Sequence, residues 1–296
     1  MNNILKTILG LNDFIDIKNI PIDIKSVYDN LDYEKFKHYI NLFLITQDKL
    51  NTKMCGEGYS KSLVTNKNRK IRFGNALLSE ANELLDSVNW KHWKDINGKN
   101  NTENISVEII DFLHFLPSLI KVLLDNITID SNDEDLETII NIAWRELNKN
   151  TIINPDNETL EKEVVKLTSA ISILGGMANL SGLLNIDMID TKDEVSDLYF
   201  SNILLKLIGT CLGLTFKLHF MVFDSKIEDV WSLYVIKNTL NGFRKDHGYE
   251  DGTYDKHWYK DKEDNIVAME IMKENSSYTV VELYDALEES YRNREI

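Results

Sequence analysis

Helix-breaking residues are scarce in this chain, which has only 3 prolines and 13 glycines among its 296 residues. A sheet-rich fold needs many tight turns, and these depend on glycine and proline, whereas long helices joined by short polar connections need few of either. Apolar residues also recur with a helical period in eight stretches. These stretches are approximately 33–53, 72–89, 104–126, 134–148, 158–180, 196–223, 227–244 and 278–293. The sequence therefore predicts an all-α fold, built as a helical bundle.

Composition argues against several classes of function. The formal net charge is −15, which opposes binding to a phosphate backbone, so we expect no direct nucleic-acid partner. Cys55 and Cys211 are too few for a disulfide framework and fit a reducing, cytoplasmic location. The apolar stretch 203–223 is interrupted by two lysines and a histidine, so we expect a buried helix of a soluble protein and no membrane span.

A first acidic motif, Glu80-x-x-Glu83, lies in one of the predicted helices. Residues three apart on a helix are neighbours, with Cβ atoms roughly 5–6 Å apart, so the two carboxylates lie side by side. They share a stripe at the edge of an apolar stripe made of Leu77, Ala81, Leu84 and Val88. Such a pair is common on solvated helix faces, and taken alone it identifies no site.

A second acidic pair, Glu108 and Asp111, lies inside the almost continuous apolar run 107–116. A helix that is apolar nearly all round is buried, so these acids should be buried too. A buried carboxylate without a partner is costly or becomes protonated, and a cation is therefore expected beside it. That cation could be a lysine or arginine side chain, or a metal ion.

Four acids without any lysine or arginine inside either motif favour a hard divalent cation, and Mg²⁺ suits an all-oxygen set of ligands. A di-iron carboxylate bundle is the obvious competitor, but it needs two Glu-x-x-His pairs. This chain offers one Asp111-x-x-His114 and no second copy. A Ca²⁺ buffer would need an EF-hand loop, which the sequence lacks.

The order of these motifs resembles that of the dimeric all-α dUTPase family, which belongs with the helical, MazG-like NTP pyrophosphatases. That family shows E-x-x-E followed by E-x-x-D, and here the two motifs are separated by twenty-four residues. Three further blocks follow the family order and cover Gln47–Asn51, Trp90–Lys94 and Lys237–Asn265. The resemblance covers about residues 40–296. The stretches near 127–135 and 180–195 look like insertions.

The resemblance implies a catalytic domain over 33–296, preceded by an N-terminal extension over 1–32. It implies hydrolysis of dUTP, and of dUDP, to dUMP by a metal-activated water. Two or three Mg²⁺ ions would be held by Glu80, Glu83, Glu108 and Asp111. One acid of the first pair would also accept the proton of the water, and Glu80 is favoured over Glu83.

The resemblance also implies substrate contacts and an oligomeric state. Gln47 and Asn51 would read the uracil, because an amide carries both a donor and an acceptor. Trp90 or Trp93 would form a wall of the base pocket. The other implied substrate contacts are Asn241 and Tyr249 for the sugar, Arg244, Lys256, Lys237 and Lys262 for the phosphates, and Asn265 in the same block. The family further implies a homodimer.

Two alternatives stay open from the sequence. A related pyrophosphatase that prefers dCTP or accepts a broader set of nucleotides would carry the same acids. A non-catalytic helical interaction protein of the same fold is the alternative from another class of function. The presence of all four acids argues against it, because relaxed selection should erode costly buried carboxylates.

Overall fold

The computed structural model describes residues 31–93, 100–126, 132–149, 151–180, 194–259 and 262–294. Within these ranges the secondary structure is almost entirely helical, with one two-stranded sheet, so the predicted all-α fold is confirmed. Residues 1–30 of the predicted extension lie outside the described residues. So do Lys94 and, in the two predicted insertions, residues 127–131 and 181–193.

The chain divides into two compact units, and the larger one covers residues 32–226. Its helices are α1 (Tyr33–Cys55), α2 (Tyr59–Ser62), α3 (Phe73–Asp86), α4 (Thr102–Asn126), α5 (Asn132–Leu147), α6 (Asn157–Leu180) and α7 (Glu194–Phe223). Helix α4 contacts α1, α2, α3, α5 and α7 and buries residues on all sides. The acids of the second motif are therefore carried by a core helix, as the apolar run predicts.

Local signals in the sequence explain where α1 begins and ends. Asp32 caps the helix, because its side chain accepts a hydrogen bond of 2.8 Å from the backbone N–H of Lys35. Gly56 follows the last turn with φ of 100°, a conformation that favours glycine, and the helix ends there. Gln47 and Asn51 lie on the buried face of this helix.

Helices α5 and α7 pack closely because α7 presents glycines to its neighbour. A Cβ atom added at Gly213 would lie 2.4 Å from the carbonyl oxygen of Ala143, and one added at Gly209 would lie 2.8 Å from that of Ile139. The segment Phe200–Phe223 of α7 is long and apolar enough to cross a membrane, but 72% of its most apolar window is buried inside the protein. It forms a core helix here, as the sequence predicts.

The smaller unit contains residues Ile227–Ile296. Its elements are α8 (Ile227–Asp246), a 3₁₀ turn (Tyr249–Asp251), β1 (His257–Tyr259), β2 (Lys262–Glu263), α9 (Asp264–Glu274) and α10 (Val280–Arg292). Strands β1 and β2 pair antiparallel, and α8 packs against α9 and α10. Phe243 lies at the centre of the unit, with ring centroids 5.3–5.6 Å from those of Trp258, Tyr284 and Tyr291.

Candidate functional site

The packing of α3 against α4 brings three of the four predicted metal ligands together. One carboxylate oxygen from each of Glu80, Glu83 and Glu108 lies within 4.8 Å of the others. Asp111, half-buried and one turn further along α4, is outside this group of three. The apolar stripe of α3 is fully buried, and this orients the two acids of α3 towards the edge of the core.

The electrostatics of this acidic cluster favour a bound cation. Glu108 is only 4% exposed, and its Oε2 has no hydrogen-bond partner among the described residues. Burial, followed by the negative charges of Asp111, Glu83 and Glu80, raises the pKa of Glu108 to about 8. A hard dication held between the carboxylates would relieve this repulsion. The all-oxygen set fits a divalent metal ion.

The two predicted base-reading amides are buried on α1 and hydrogen-bonded to each other. Gln47 is 4% exposed and Asn51 5%, so this pair is not ordinary helix surface. Nε2 of Gln47 donates to Oδ1 of Asn51 across 2.9 Å. Nδ2 of Asn51 donates in turn to the hydroxyl of Tyr59 at 3.2 Å and to that of Ser118 at 2.8 Å. The sequence indicated neither hydroxyl.

The two tryptophans lie at the surface, beyond the end of α3. Trp90 is half-buried and Trp93 is exposed, with their rings edge to face and the centroids 5.4 Å apart. The Trp90 indole also donates to Asp86 at 3.4 Å, and Lys91 lies over its ring. Neither ring belongs to the core, so both are accessible for contact with a ligand. Their predicted role in the base pocket stays a prediction.

In the smaller unit, Arg244 is held by an acid that sequence reasoning missed. Asp264 is 0% exposed and accepts from Nε and Nη2 of Arg244 at 2.8 and 2.6 Å. It also accepts from the hydroxyl of Tyr254 at 2.7 Å. Nη1 of Arg244 donates to Asn241 at 3.3 Å. The guanidinium therefore occupies a fixed position, and its predicted contact with phosphate stays a prediction.

The other predicted residues of this unit are distributed around that pair. Tyr249 is exposed, with Nζ of Lys256 5.3 Å and the guanidinium carbon of Arg244 5.9 Å from its ring centroid. Lys262 instead pairs with both carboxylate oxygens of Glu270, at 2.8 and 2.9 Å, on the exposed surface. The remaining two, Lys237 and Asn265, are half-buried. The structure thus groups Asn241, Arg244, Tyr249 and Lys256 and leaves Lys262 in a separate ion pair.

Comparison with known proteins identifies the family. A family model described as dUTPase matches residues 39–249, which is well over half of the chain. The match includes both acidic motifs and the amide pair, and it ends at Tyr249, before Lys256, Lys262 and Asn265. A search of curated proteins found no match. Because the match covers most of the described helices, it confirms the resemblance seen in the motifs: the chain belongs to the all-α dUTPase family.

Proposed function

We propose that this chain hydrolyses dUTP to dUMP and pyrophosphate, and dUDP to dUMP and phosphate, with the help of Mg²⁺. Membership of the dUTPase family supports dUTP hydrolysis in general. The observation that carries the metal dependence is the convergence of one carboxylate oxygen from each of Glu80, Glu83 and the buried Glu108 within 4.8 Å of one another. In this proposal Glu80, Glu83, Glu108 and Asp111 hold two or three ions.

The residues of the acidic cluster would have different roles in the reaction. Bound Mg²⁺ would supply charge neutralisation of the phosphate oxygens and activation of the attacking water. Glu108 is fixed by the core and provides the ligand with the least freedom to move. Glu80 is half-buried and hydrogen-bonded to Glu108, whereas Glu83 is exposed. We therefore assign Glu80 as the group that accepts the proton of the water, because its environment is drier and its position better defined.

The substrate contacts are proposed on the same basis. Gln47 with Asn51 would read the base, and Trp90 or Trp93 would contact it from the side. Asn241 and Tyr249 would bind the sugar. The proposed phosphate contacts are Arg244, Lys256, Lys237 and Lys262, with Asn265 beside them. Among these, Arg244 is the best prepared for phosphate binding, because Asp264 fixes its planar guanidinium.

The test is turnover of dUTP, dCTP, dTTP and UTP by the purified full-length chain, with Mg²⁺ or with EDTA. We expect Mg²⁺-dependent release of dUMP and pyrophosphate, abolished in Glu80→Gln and Glu108→Gln. Glu103→Gln is the matched control, because Glu103 is exposed in the first turn of the same helix α4 as Glu108. Binding of Mn²⁺, followed by electron paramagnetic resonance, should be weakened in both cluster variants and unchanged in the control.

Other outcomes would point to the alternatives. Faster turnover of dCTP, or of all four nucleotides, would keep the metal site and contradict the uracil preference. Absence of turnover together with unchanged Mn²⁺ binding in Glu108→Gln would contradict the enzyme and favour an interaction protein. We also propose a homodimer, which sedimentation velocity of the same preparation tests directly.

A further inference from the structure

The hydrogen bonds around Asn51 have a direction that chemistry fixes. The hydroxyl of Ser118 has one hydrogen, and it donates this hydrogen to the backbone carbonyl of His114 at 2.6 Å. A carbonyl oxygen only accepts, so this bond cannot reverse. The lone pairs of Ser118 must then accept from the neighbouring side chain of Asn51, 2.8 Å away. The atom of Asn51 that faces Ser118 is therefore its nitrogen.

Tyr59 imposes the same direction from a second side. Its hydroxyl donates to the carboxylate of Asp48 at 2.9 Å and accepts from Nδ2 of Asn51 at 3.2 Å. Both amide hydrogens of Asn51 are thereby used. The side-chain oxygen of Asn51 faces Gln47, so the Gln47 atom next to it must be a hydrogen-bond donor. This atom is Nε2, 2.9 Å away. The carbonyl oxygen of Gln47 is consequently on the side turned away from Asn51.

We propose that Ser118 and Tyr59 are positioning residues that determine base selectivity by fixing the direction of this amide chain. The proposal rests on the proposed function, in which Gln47 reads the base. A carbonyl oxygen of Gln47 accepts from the N3–H of uracil and meets the N3 lone pair of cytosine unfavourably. Asn51 takes part in reading the base by holding Gln47, because its own hydrogens are held by the two hydroxyls. It transmits their orientation to Gln47.

The direction of these hydrogen bonds is important because the two amide side chains are buried. Gln47 and Asn51 are both at least 95% buried, so a reversed amide would leave a donor or acceptor without a partner in a dry environment. Sites that pair a buried polar group with the substrate reject the mismatched analogue strongly. We therefore expect loss of the orienting hydroxyls to lower selectivity for dUTP over dCTP roughly tenfold to a hundredfold.

The experiment compares kcat/KM for dUTP, dCTP and dTTP in Ser118→Ala, Tyr59→Phe and the double variant. Thymine presents the same N3–H as uracil, so the dUTP/dTTP ratio should stay constant while the dUTP/dCTP ratio falls. A general loss of structure would change both ratios or neither. Because the two hydroxyls hold the two hydrogens of one nitrogen, their effects should be coupled and not additive.

Two further variants complete the design. Ser118→Thr keeps a hydroxyl at this position, so its dUTP/dCTP ratio should return to that of the unmodified chain. Ser60→Ala is the matched control, because this buried hydroxyl donates to Asp125 at 2.5 Å and has no bond to Asn51. Its ratios should equal those of the unmodified chain.

The failure of this inference and that of the proposed function give different results. If the unmodified chain hydrolyses dUTP but all three variants keep its dUTP/dCTP ratio, the positioning role is wrong and the proposed function stands. If the unmodified chain does not hydrolyse dUTP, both are wrong. A fall in the dUTP/dCTP ratio that Ser118→Thr reverses would support the role.

Discussion

Replacing Asp264 should destabilise the smaller unit more than any other single change to its polar contacts. This carboxylate is 0% exposed and accepts two hydrogen bonds from Arg244 and one from Tyr254. In Asp264→Ala, a largely buried guanidinium and a phenol lose their acceptor together. The guanidinium stays charged, because arginine does not deprotonate in proteins.

The magnitude follows from those three bonds. Each hydrogen bond to a charged group contributes roughly 1.5–3 kcal/mol, but bonds that share one acceptor are not additive. Removing one partner of a buried ion pair costs about 3–5 kcal/mol, and we expect Asp264→Ala to fall in that range. Tyr254→Phe removes a single bond to the charged carboxylate and should cost roughly 1.5–3 kcal/mol. Replacing the pair together, as Arg244→Met with Asp264→Leu, should cost less than Asp264→Ala alone, because no uncompensated charge is left.

The assay is urea unfolding combined with peptide-level hydrogen exchange across α9, which reports the opening free energy of this unit. The order of destabilisation should be Asp264→Ala, then the double replacement and Tyr254→Phe. A loss below about 1 kcal/mol in Asp264→Ala would refute the reasoning, since it would show that solvent replaces the carboxylate without difficulty. A larger loss of stability in the double replacement than in Asp264→Ala would contradict the claim that the unpaired charge is the main cause of destabilisation.

Two other predictions concern the larger unit. Burial lowers the pKa of His219 to about 4, so the folded chain binds fewer protons than the unfolded chain between pH 6.5 and 4. The free energy of unfolding therefore includes a contribution from the neutral ring that is fully present above pH 6.5 and is lost as the pH falls to 4, about 3 kcal/mol at most. The free energy of unfolding, measured by urea titration at each pH, should depend less on pH across this range in His219→Gln. Gly213→Ala should lower the thermal midpoint, because its Cβ would lie 2.4 Å from the carbonyl oxygen of Ala143. Gly176→Ala, where nothing lies within 4 Å, should raise stability by roughly 0.5–1 kcal/mol, and equal behaviour of the two alanines by calorimetry would contradict the close-packing argument.

The sequence was sufficient for the long helices because their apolar periods reflect burial on one face. All eight predicted stretches contain a helix, with ends displaced by at most a few residues. Helix α9 was missed for a physical reason. It buries the charged Asp264 beside Val267, Ala268 and Met272, and it exposes the apolar Ile266 and Met269. Apolar residues therefore lie on both faces, and the sequence shows no single apolar stripe. The hydrogen bonds to Asp264 from Arg244, twenty residues earlier, and from Tyr254 explain the burial.

The strongest signal of the candidate site in the residues themselves was a conflict between burial and charge. Glu108 and Asp111 attract attention because an apolar run should not contain acids, and the structure indeed buries Glu108. The partners of Asn51 carry no such signal. Tyr59 and Ser118 are 8 and 67 residues away from it and come together only when α1 and α2 pack against α4. In the sequence, both residues look like ordinary polar or aromatic positions.

Helix α4 links the two parts of the candidate site in the larger unit. It carries Glu108 of the acidic cluster and Ser118 of the amide network, ten residues apart, or roughly 15 Å along a helix that rises about 1.5 Å per residue. Because α4 contacts five other helices, that separation is set by the core and not by loops. Sites built on rigid elements hold their groups more accurately than sites on loops. Changes that loosen α4 should therefore impair metal binding and base selectivity together, whereas changes at Ser118 alone should affect selectivity and leave the metal site intact.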